Sequence, residues 1–304
     1  MIALPEPDLE QHLAAARDPK PYIDIDGSLE RALILAKAKD DLLPSHQLFI
    51  GPPGAGKSLL VTNLAAELKL PLVSLDCSIR TREHHLIGRL DPHGEEVLFI
   101  PGKLLVAVRL ANMHGSCVVR ADEVNTLDPG TQKAINGYMD LWRTGFHIAQ
   151  INRTFRLNEG ASIIICGTMN PLGFGGVGRL NPDLAGRFVG VHRLTYPDKR
   201  AERRILKKLC PWANPDVVNS IVQVASDTRA KSGSGVLDYV LSTRELEYFL
   251  ITLHKFGEEA IEDALQLLIH RFDNDRTQSS VADTIDGVFG TSFKDVYRRL
   301  SKEA

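Results

Sequence analysis

The chain lacks any apolar run approaching the ~20 residues that a membrane-spanning helix requires. Acidic residues and prolines stand near its start, where a signal peptide would carry a basic and then an apolar stretch. We therefore expect a cytoplasmic protein with no membrane contact. Cysteine is scarce, and the four residues lie far apart, which indicates neither a zinc cluster nor a disulfide framework. They are Cys77, Cys117, Cys166 and Cys210.

An excess of positive charge is also missing. The 36 Lys and Arg residues are balanced by 38 Asp and Glu residues, for a formal charge of −2. Lys and Arg are scattered, without the basic and aromatic interleaving of nucleic-acid-binding proteins, so we do not expect nucleic acid as a partner. With 304 residues, of which 43% are hydrophobic, the chain is long enough for one large domain and a smaller one.

Apolar segments alternate with helical segments in the first two thirds of the chain. Their continuous apolar runs favour a parallel sheet covered on both faces. We predict strands near residues 46–50, 72–75, 116–121, 162–167 and 188–193. Beyond Pro197 the pattern turns helical, with helices predicted at 198–209, 214–228, 242–254 and 257–271. The predicted domains are an irregular arm (1–21), an α/β domain (22–197) and a helical domain (198–304), with a flexible loop at 231–235.

A glycine-rich loop joins the first strand to a helix. Its glycines let consecutive backbone N–H groups turn towards phosphate oxygens, Lys57 reaches the terminal phosphates, and the Ser58 hydroxyl is placed to bind Mg²⁺. This pattern predicts a nucleoside triphosphate site. The residues assigned to it are Gly51, Pro52, Pro53, Gly54, Ala55, Gly56, Lys57, Ser58 and Leu59.

Two carboxylates end the strand predicted at 116–121. Ligands bind at this carboxyl edge of a parallel sheet. Asp122 is predicted to hold Mg²⁺, and Glu123 to polarise the attacking water of a hydrolysis reaction. The alternative is an acidic pair that merely caps a strand. Arg120 puts a charge inside this strand, and it either lies along the sheet edge or pairs with a carboxylate.

The segments that follow resemble one family of ATPases. They are Ala121-Asp122-Glu123-Val124-Asn125, a Thr131-Gln132 helix, Cys166-Gly167-Thr168-Met169-Asn170-Pro171 and Leu184-Ala185-Gly186-Arg187-Phe188. Together they are similar to the AAA+ ATPases of the MoxR and CbbQ/NirQ branch, which is of the dynein-related type. The resemblance covers roughly residues 22–250. It implies a phosphate-loop AAA+ parallel-sheet domain followed by a smaller all-helical lid domain, with ATP and Mg²⁺ as cofactors.

The resemblance also implies roles for three further residues. Asn170 would orient the attacking water, Arg187 would be an arginine finger reaching a neighbouring subunit, and Arg244 would touch the γ-phosphate from the lid. From the residues alone, Asn170 ends a strand parallel to that of Asp122, although an Asn before Pro also starts turns. An arginine in the position of Arg187 is otherwise a solvated charge at a helix end.

Two hairpins are predicted on the basis of the same resemblance. One follows a helical segment in residues 83–102, with a turn at Asp91–Gly94, and the other spans about residues 145–157. In ring-shaped relatives such hairpins contact the client, which makes Arg89, His93 and Phe99 candidate contacts. The alternative is a loop packed on its own domain. The histidines here, His84 and His85 included, lack the carboxylate support of a metal site.

The favoured function is a Mg²⁺-dependent ATPase that forms a ring, expected to be a homo-hexamer, and remodels a protein client. The resemblance implies a chaperone of the MoxR type with a von Willebrand factor A domain partner. The alternatives are a nucleic-acid-linked AAA+ motor or GTPase, and the motor subunit of a cobalt-chelatase-type complex. A nucleotide-switched binding module is a third possibility, against which Glu123 and Arg187 argue.

Overall fold

The computed structural model describes residues 6–38, 45–93, 96–140, 145–171, 178–233, 240–257, 264–265, 268–272 and 275–289. The chain divides into two compact units. The first runs to Pro52 and continues over Gly56–Leu194, and the second comprises Pro53–Ala55 and the residues from Thr195 onwards. The break at Leu194 lies near the domain boundary that the change of pattern after Pro197 predicts.

A five-stranded parallel sheet forms the centre of the first unit. Each predicted strand is present, because continuous runs of Val, Ile, Leu and Phe suit strands buried on both faces. The predicted α/β fold class is thereby confirmed. The strands are β1 Gln47–Ile50, β2 Leu72–Asp76, β5 Ser116–Asp122, β8 Ser162–Met169 and β9 Gly190–Arg193. Their order across the sheet is β2-β5-β8-β1-β9.

Helices connect these strands, and two antiparallel hairpins project from the connections. The helices of this unit are α1 Leu9–Ala14, α2 Ser28–Lys37, α3 Lys57–Leu68, α4 Glu83–Ile87, α5 Lys103–His114, α6 Pro129–Met139 and α7 Pro182–Ala185. The hairpins are β3 Gly88–His93 with β4 Glu96–Pro101, and β6 Phe146–Ile148 with β7 Arg153–Phe155. Short 3₁₀ turns occupy Val124–Thr126 and Ala149–Ile151. The core between helices and sheet includes Leu48, Val73, Val119, Ile165 and Phe188.

The second unit is helical and has its own apolar core, built by residues such as Leu206, Ile221, Phe249 and Leu253. Its helices are α8 Lys199–Leu209, α9 Pro215–Gly233, α10 Thr243–Phe256 and α11 Asp275–Phe289. Much of the helix predicted at 257–271 lies outside the described residues. None of the described helices has the length and apolar character needed to cross a membrane.

Three local predictions were wrong. The arm predicted to be irregular contains α1, which Asp8 caps by accepting from the backbone N–H of Gln11. Helix α9 continues to Gly233, into the segment predicted to be a flexible loop, whose remainder is outside the described residues. Asp91, Pro92 and His93 belong to β3 and not to a turn. Proline is tolerated there because a two-stranded hairpin leaves one side of each strand unpaired.

Candidate active site

The register of the sheet brings the ends of three strands together. Phe49 of β1 pairs with Thr168 of β8, and Ala121 of β5 pairs with Gly167, so Asp122 ends its strand beside Thr168. The residues that follow these strand ends are Gly51, Glu123 and Asn170. They therefore meet at the carboxyl edge of the sheet, where parallel α/β sheets bind ligands.

The glycine-rich loop ends on an uncapped helix. Gly54 and Gly56 have φ values of +73° and +87°, which residues with a Cβ adopt only with strain. Gly56 is the N-cap of α3 and has no side chain with which to bond the first N–H groups of the helix. The first N–H groups of a 12-residue helix, which have no acceptor within the helix itself, provide an anion site. Residues 51–59 therefore fit a phosphate group.

Lys57 is almost fully buried and holds the loop closed. Its ammonium donates to the carbonyl oxygens of Gly51 at 2.7 Å and Pro52 at 2.8 Å, and to Oδ1 of Asn170 at 2.8 Å. An ammonium can only donate, which fixes the amide oxygen of Asn170 towards Lys57. The NH₂ group of Asn170 is therefore the part of this amide available to an oxygen outside the pair. The lysine predicted to bind phosphates and the predicted water-orienting residue are in direct contact.

Asp122 is surrounded by donors. Its Oδ1 atom accepts from the hydroxyls of Ser58 at 2.6 Å and Thr168 at 2.9 Å, while Oδ2 accepts from Nε of Arg120 at 2.8 Å. Nη1 of Arg120 donates to Thr62 at 2.7 Å, so this arginine pairs with a carboxylate, one of the two predicted alternatives. Hydroxyl and carboxylate oxygens are the ligands that Mg²⁺ prefers. Ser58 and Asp122 therefore fit the metal-binding role predicted for them.

Glu123 stands in an unusual backbone conformation. Its φ of +58° and ψ of +45° lie in the left-handed region, and its side chain is exposed. Its N–H donates to Oγ1 of Thr168 at 3.2 Å, which helps to hold this turn. Strained backbone of this kind clusters at functional sites, where the surroundings over-determine it. The conformation turns the chain directly after Asp122, so that the two carboxylates leave the strand in different directions.

Sequence reasoning missed two positioning residues in this site. Thr168 bridges Asp122 and the N–H of Glu123, and it lies two residues before Asn170, on the same face of the strand. That period of two is the signal that could have identified it. Asn125 is fully buried, and its Nδ2 donates to the carbonyl oxygens of Asn170 at 3.2 Å and Gly178 at 3.3 Å. It fixes the backbone that carries Asn170.

A third missed residue lies beside the loop. The ring of Tyr22 faces Gly56, where a Cβ would stand 3.3 Å from the ring. The backbone N–H of Tyr22 donates to Oδ1 of Asn63 on α3 at 3.1 Å, and Nδ2 of Asn63 donates to the carbonyl of Lys20. Burial raises the pKa of the Tyr22 phenol well above its usual range, so it stays neutral. The segment that precedes α2 therefore forms one wall next to the phosphate loop.

Within the described part of the chain, the hydrogen bonds of Arg187 lie away from the residues around Asp122. Its Nη2 and Nε atoms donate to Oδ2 of Asp140 at 3.0 and 3.3 Å, and Nη1 donates to the carbonyl of Asp183 at 3.0 Å. Arg244 is exposed in the first turn of α10, in the second unit. No hydrogen bond or ion pair joins Arg244 to another described residue. The adjacent Ser242 and Glu245 form the capping box of that helix.

The predicted client contacts divide into two kinds. Phe99 is fully buried against Gly88 at the base of its hairpin, so it cannot be a contact, and that prediction was wrong. Arg89 is exposed, and it lines a groove of about 430 Å³ with Arg80 and Lys103. None of these three cations pairs with a described acidic residue. The side chain of His93 lies outside what the structure describes.

Three comparisons relate this geometry to known proteins. Residues 46–188 match the family profile described as AAA domain (dynein-related subfamily), a span that begins before the phosphate loop and ends after Arg187. An uncharacterized protein of Staphylococcus haemolyticus strain JCSC1435 is 25% identical over 255 residues, covering 80% of this chain and 90% of that protein. One of Staphylococcus aureus strain NCTC 8325 is 24% identical over 259 residues, covering 83% and 93%. Among solved structures, a mutant of RuvB from Thermotoga maritima has a TM-score of 0.48 and 13% identity, covering 92% of this chain and 69% of that one.

The fold, the phosphate loop and the acidic pair define a phosphate-loop nucleotide hydrolase. Residues 46–188 are, more specifically, similar to AAA domains of the dynein-related subfamily. The prediction that the chain is an ATP-hydrolysing enzyme is thereby confirmed.

Proposed function

We propose that the protein is a Mg²⁺-dependent ATPase that assembles into a homo-hexameric ring and remodels a protein client. The observation that best supports this proposal is that two groups of residues make separate sets of hydrogen bonds. Lys57 is hydrogen-bonded to Asn170, and Ser58 to Asp122, whereas among the described residues the partners of Arg187 are Asp140 and Asp183. An arginine that serves the site of another subunit has this arrangement, and such a site is complete only in an oligomer.

The division of labour in the site follows from its contacts. Bound Mg²⁺ and triphosphate would supply a metal-neutralised phosphoryl group. Ser58 and Asp122 offer oxygen ligands to the metal. The Lys57 ammonium would donate hydrogen bonds to phosphate oxygens in place of the carbonyl oxygens of the loop. Glu123 is exposed beside them and accepts the proton of the attacking water, which the NH₂ group of Asn170 orients. Arg187 of a neighbouring subunit stabilises the charge on the transferred group, and Arg244 does so from the lid.

Mixed assemblies test the role of Arg187. A Lys57→Ala subunit cannot bind nucleotide but keeps its arginine, and an Arg187→Ala subunit has the converse defect. We expect each variant to be nearly inactive alone, and their mixture to recover a substantial part of the wild-type turnover. An Arg179→Ala variant, which removes a nearby arginine outside the proposed chemistry, is the matched control and should keep its activity. Recovery no greater than the sum of the separate variants would contradict the assignment.

The groove lined by Arg80, Arg89 and Lys103 supports the client part of the proposal. His84 also lines this groove. Its pKa is lowered by desolvation and by the nearby positive charges of His85, Arg89 and Arg82. Three cations without an acidic partner among the described residues, beside the partly exposed Ile100, suit an acidic polypeptide that also carries apolar side chains. A nucleic-acid backbone needs a longer track of Lys and Arg. The motif resemblance supports a chaperone of the MoxR type with a von Willebrand factor A domain partner.

The client class is tested by ATP turnover at ~0.1 M salt. Candidate activators are polyglutamate, single- and double-stranded DNA, RNA, and a von Willebrand factor A domain protein encoded nearby. We expect stimulation by the protein partner and by the acidic polypeptide, the latter abolished when Arg80, Arg89 and Lys103 are all replaced by Ala. The matched control replaces three exposed cations elsewhere, Arg17, Lys37 and Lys69. Stimulation by DNA or RNA, with no response to protein, would favour the nucleic-acid motor instead.

A further inference from the structure

Asp140 stands in an electrostatically unfavourable place. It is the C-cap residue of α6, where the carbonyl groups of the helix end concentrate partial negative charge. A carboxylate is disfavoured there unless a cation compensates it. The cation is Arg187, whose Nη2 and Nε atoms both donate to the Oδ2 atom of Asp140. The side chains of Arg187 and Asp140 are 31% and 41% exposed, and an ion pair of that exposure adds little to stability. A contribution to folding stability therefore does not explain why Asp140 stands at this position.

The pair leaves part of the guanidinium available. An arginine side chain has five N–H groups in a rigid planar fork. Asp140 takes one from Nε and one from Nη2, and the carbonyl of Asp183 takes one from Nη1. One N–H group on Nη1 and one on Nη2 have no acceptor among the residues that the structure describes. Asp140 thus fixes the plane and direction of the guanidinium without occupying all of its donors, which a group that must still bind an anion requires.

The backbone on both sides of the pair is tied to the same frame. Gln132 of α6 accepts from the N–H of Asn181 at 2.7 Å, and so anchors the segment leading to Arg187. His46 accepts from the N–H of Ile165 with Nδ1, which makes Nε2 the protonated nitrogen that donates to the carbonyl of Met139, beside Asp140. The carbonyl of His46 accepts from Val189, just beyond Arg187. Asp140 and Arg187 are therefore held at fixed positions relative to each other.

We propose that Asp140 is a positioning residue that aims Arg187 at the phosphates bound by the neighbouring subunit. This inference rests on the proposed function, since it requires that Arg187 acts between subunits. Asp140 does not touch the reacting atoms, and its effect passes only through the arginine of its own chain. Displacement of a catalytic group by about 1 Å can cost about a hundredfold in rate. Loss of Asp140 therefore lowers turnover severalfold to a hundredfold, yet less than loss of Arg187 itself.

Placing the substitution in one subunit or the other tests this directly. In a mixture of Lys57→Ala and Arg187→Ala subunits, only the Lys57→Ala chain supplies an arginine, and only the Arg187→Ala chain hydrolyses. We expect Asp140→Ala in the Lys57→Ala chain to lower the recovered turnover about tenfold or more. The same substitution in the Arg187→Ala chain should have no effect. A role in folding or assembly would lower turnover in both placements. Asp140→Asn separates charge from shape, and should lower turnover less than Asp140→Ala.

The control is Asp183→Asn, which removes the same charge from the helix next to Arg187. Its side chain forms no hydrogen bond with a described residue, and the arginine uses only its backbone carbonyl. We expect full recovery with this variant in either chain. Equal losses from Asp140→Ala in both placements, or no loss in the arginine-supplying chain, would overturn the inference. Absence of recovery from the starting mixture of Lys57→Ala and Arg187→Ala would instead reject the action of Arg187 between subunits, and the inference with it.

Discussion

At the scale of single residues, the hydrogen bonds of each carboxylate in this site indicate its role. Asp122 already accepts from Ser58, Thr168 and Arg120, so its charge is compensated and its direction fixed. Glu123 makes no such side-chain bonds with the described part of the chain, and its backbone adopts the left-handed conformation. Two adjacent carboxylates thereby acquire different surroundings, one held by hydroxyls and a cation, the other exposed. This difference supports a metal-binding role for the first and a proton-accepting role for the second.

Substitutions of Glu123 separate this chemistry from backbone strain. Glu123→Gln and Glu123→Gly should both bind ATP and lose hydrolysis, because neither accepts a proton. Glycine adopts a positive φ freely but is more disordered when unfolded, so its stability should stay within about 1 kcal/mol of wild type. Valine is disfavoured at positive φ and should lose about 1–2 kcal/mol. Turnover, calorimetric ATP binding and urea unfolding measure the three effects. Hydrolysis retained by Glu123→Gln would assign the base to another residue.

At the scale of elements, the sequence predicts those helices and strands that a short-range pattern of residues determines. The apolar runs of the five sheet strands are visible because each strand is buried on both faces. Helix α1 was missed because the prolines around it, Pro5, Pro7, Pro19 and Pro21, suggested an irregular segment. Polar residues distant in the chain were harder to pair. Arg187 and Asp140 are 47 positions apart, and nothing in the spacing of either indicates the contact. The phosphate loop, by contrast, is a local motif.

The first hairpin shows why residue type alone misleads. Phe99 was expected to face a client, but its ring fills the space beside Gly88, whose φ of +129° and missing Cβ allow the close approach. An aromatic side chain in a hairpin belongs to the core when its face points inwards. Arg89 pairs with Ile100 in the register and is exposed, whereas Phe99, one residue earlier than Ile100, points to the opposite face. The period of two, and not the aromatic character, decides the role.

Replacement of Phe99 by Ala should therefore act on stability. Loss of a fully buried phenylalanine costs about 3–5 kcal/mol, which urea unfolding of the purified protein would measure. Val97 of the same strand is 47% exposed, and Val97→Ala is the matched control, expected to change stability by less than about 0.5 kcal/mol. If Phe99→Ala left stability unchanged and removed only the response to a protein client, the contact role would be restored.

The behaviour of the whole molecule with pH depends on a buried histidine of the first unit. His46 lies between β1, β8 and α6, accepting from Ile165 and donating to Met139. The neutral ring satisfies both partners, but a second proton would displace the N–H of Ile165. Burial lowers the pKa of His46 from 6.5 to about 4, and this effect outweighs the bond to Met139 and the nearby Asp140 carboxylate, which raise it. Folding therefore favours the uncharged imidazole.

Stability should fall as the solution is acidified through this range. Between pH 6.5 and about 4 the unfolded chain binds a proton at His46 that the folded chain does not. Stability from this group is thus complete above pH 6.5 and lost towards pH 4, by up to about 3 kcal/mol. Glutamine offers one acceptor and one donor without titrating, so His46→Gln should flatten the pH dependence of the unfolding free energy. The difference between the two proteins isolates His46 from His192, whose pKa burial also lowers. Parallel curves for both proteins from pH 7 to 4.5 would show that His46 does not supply this dependence.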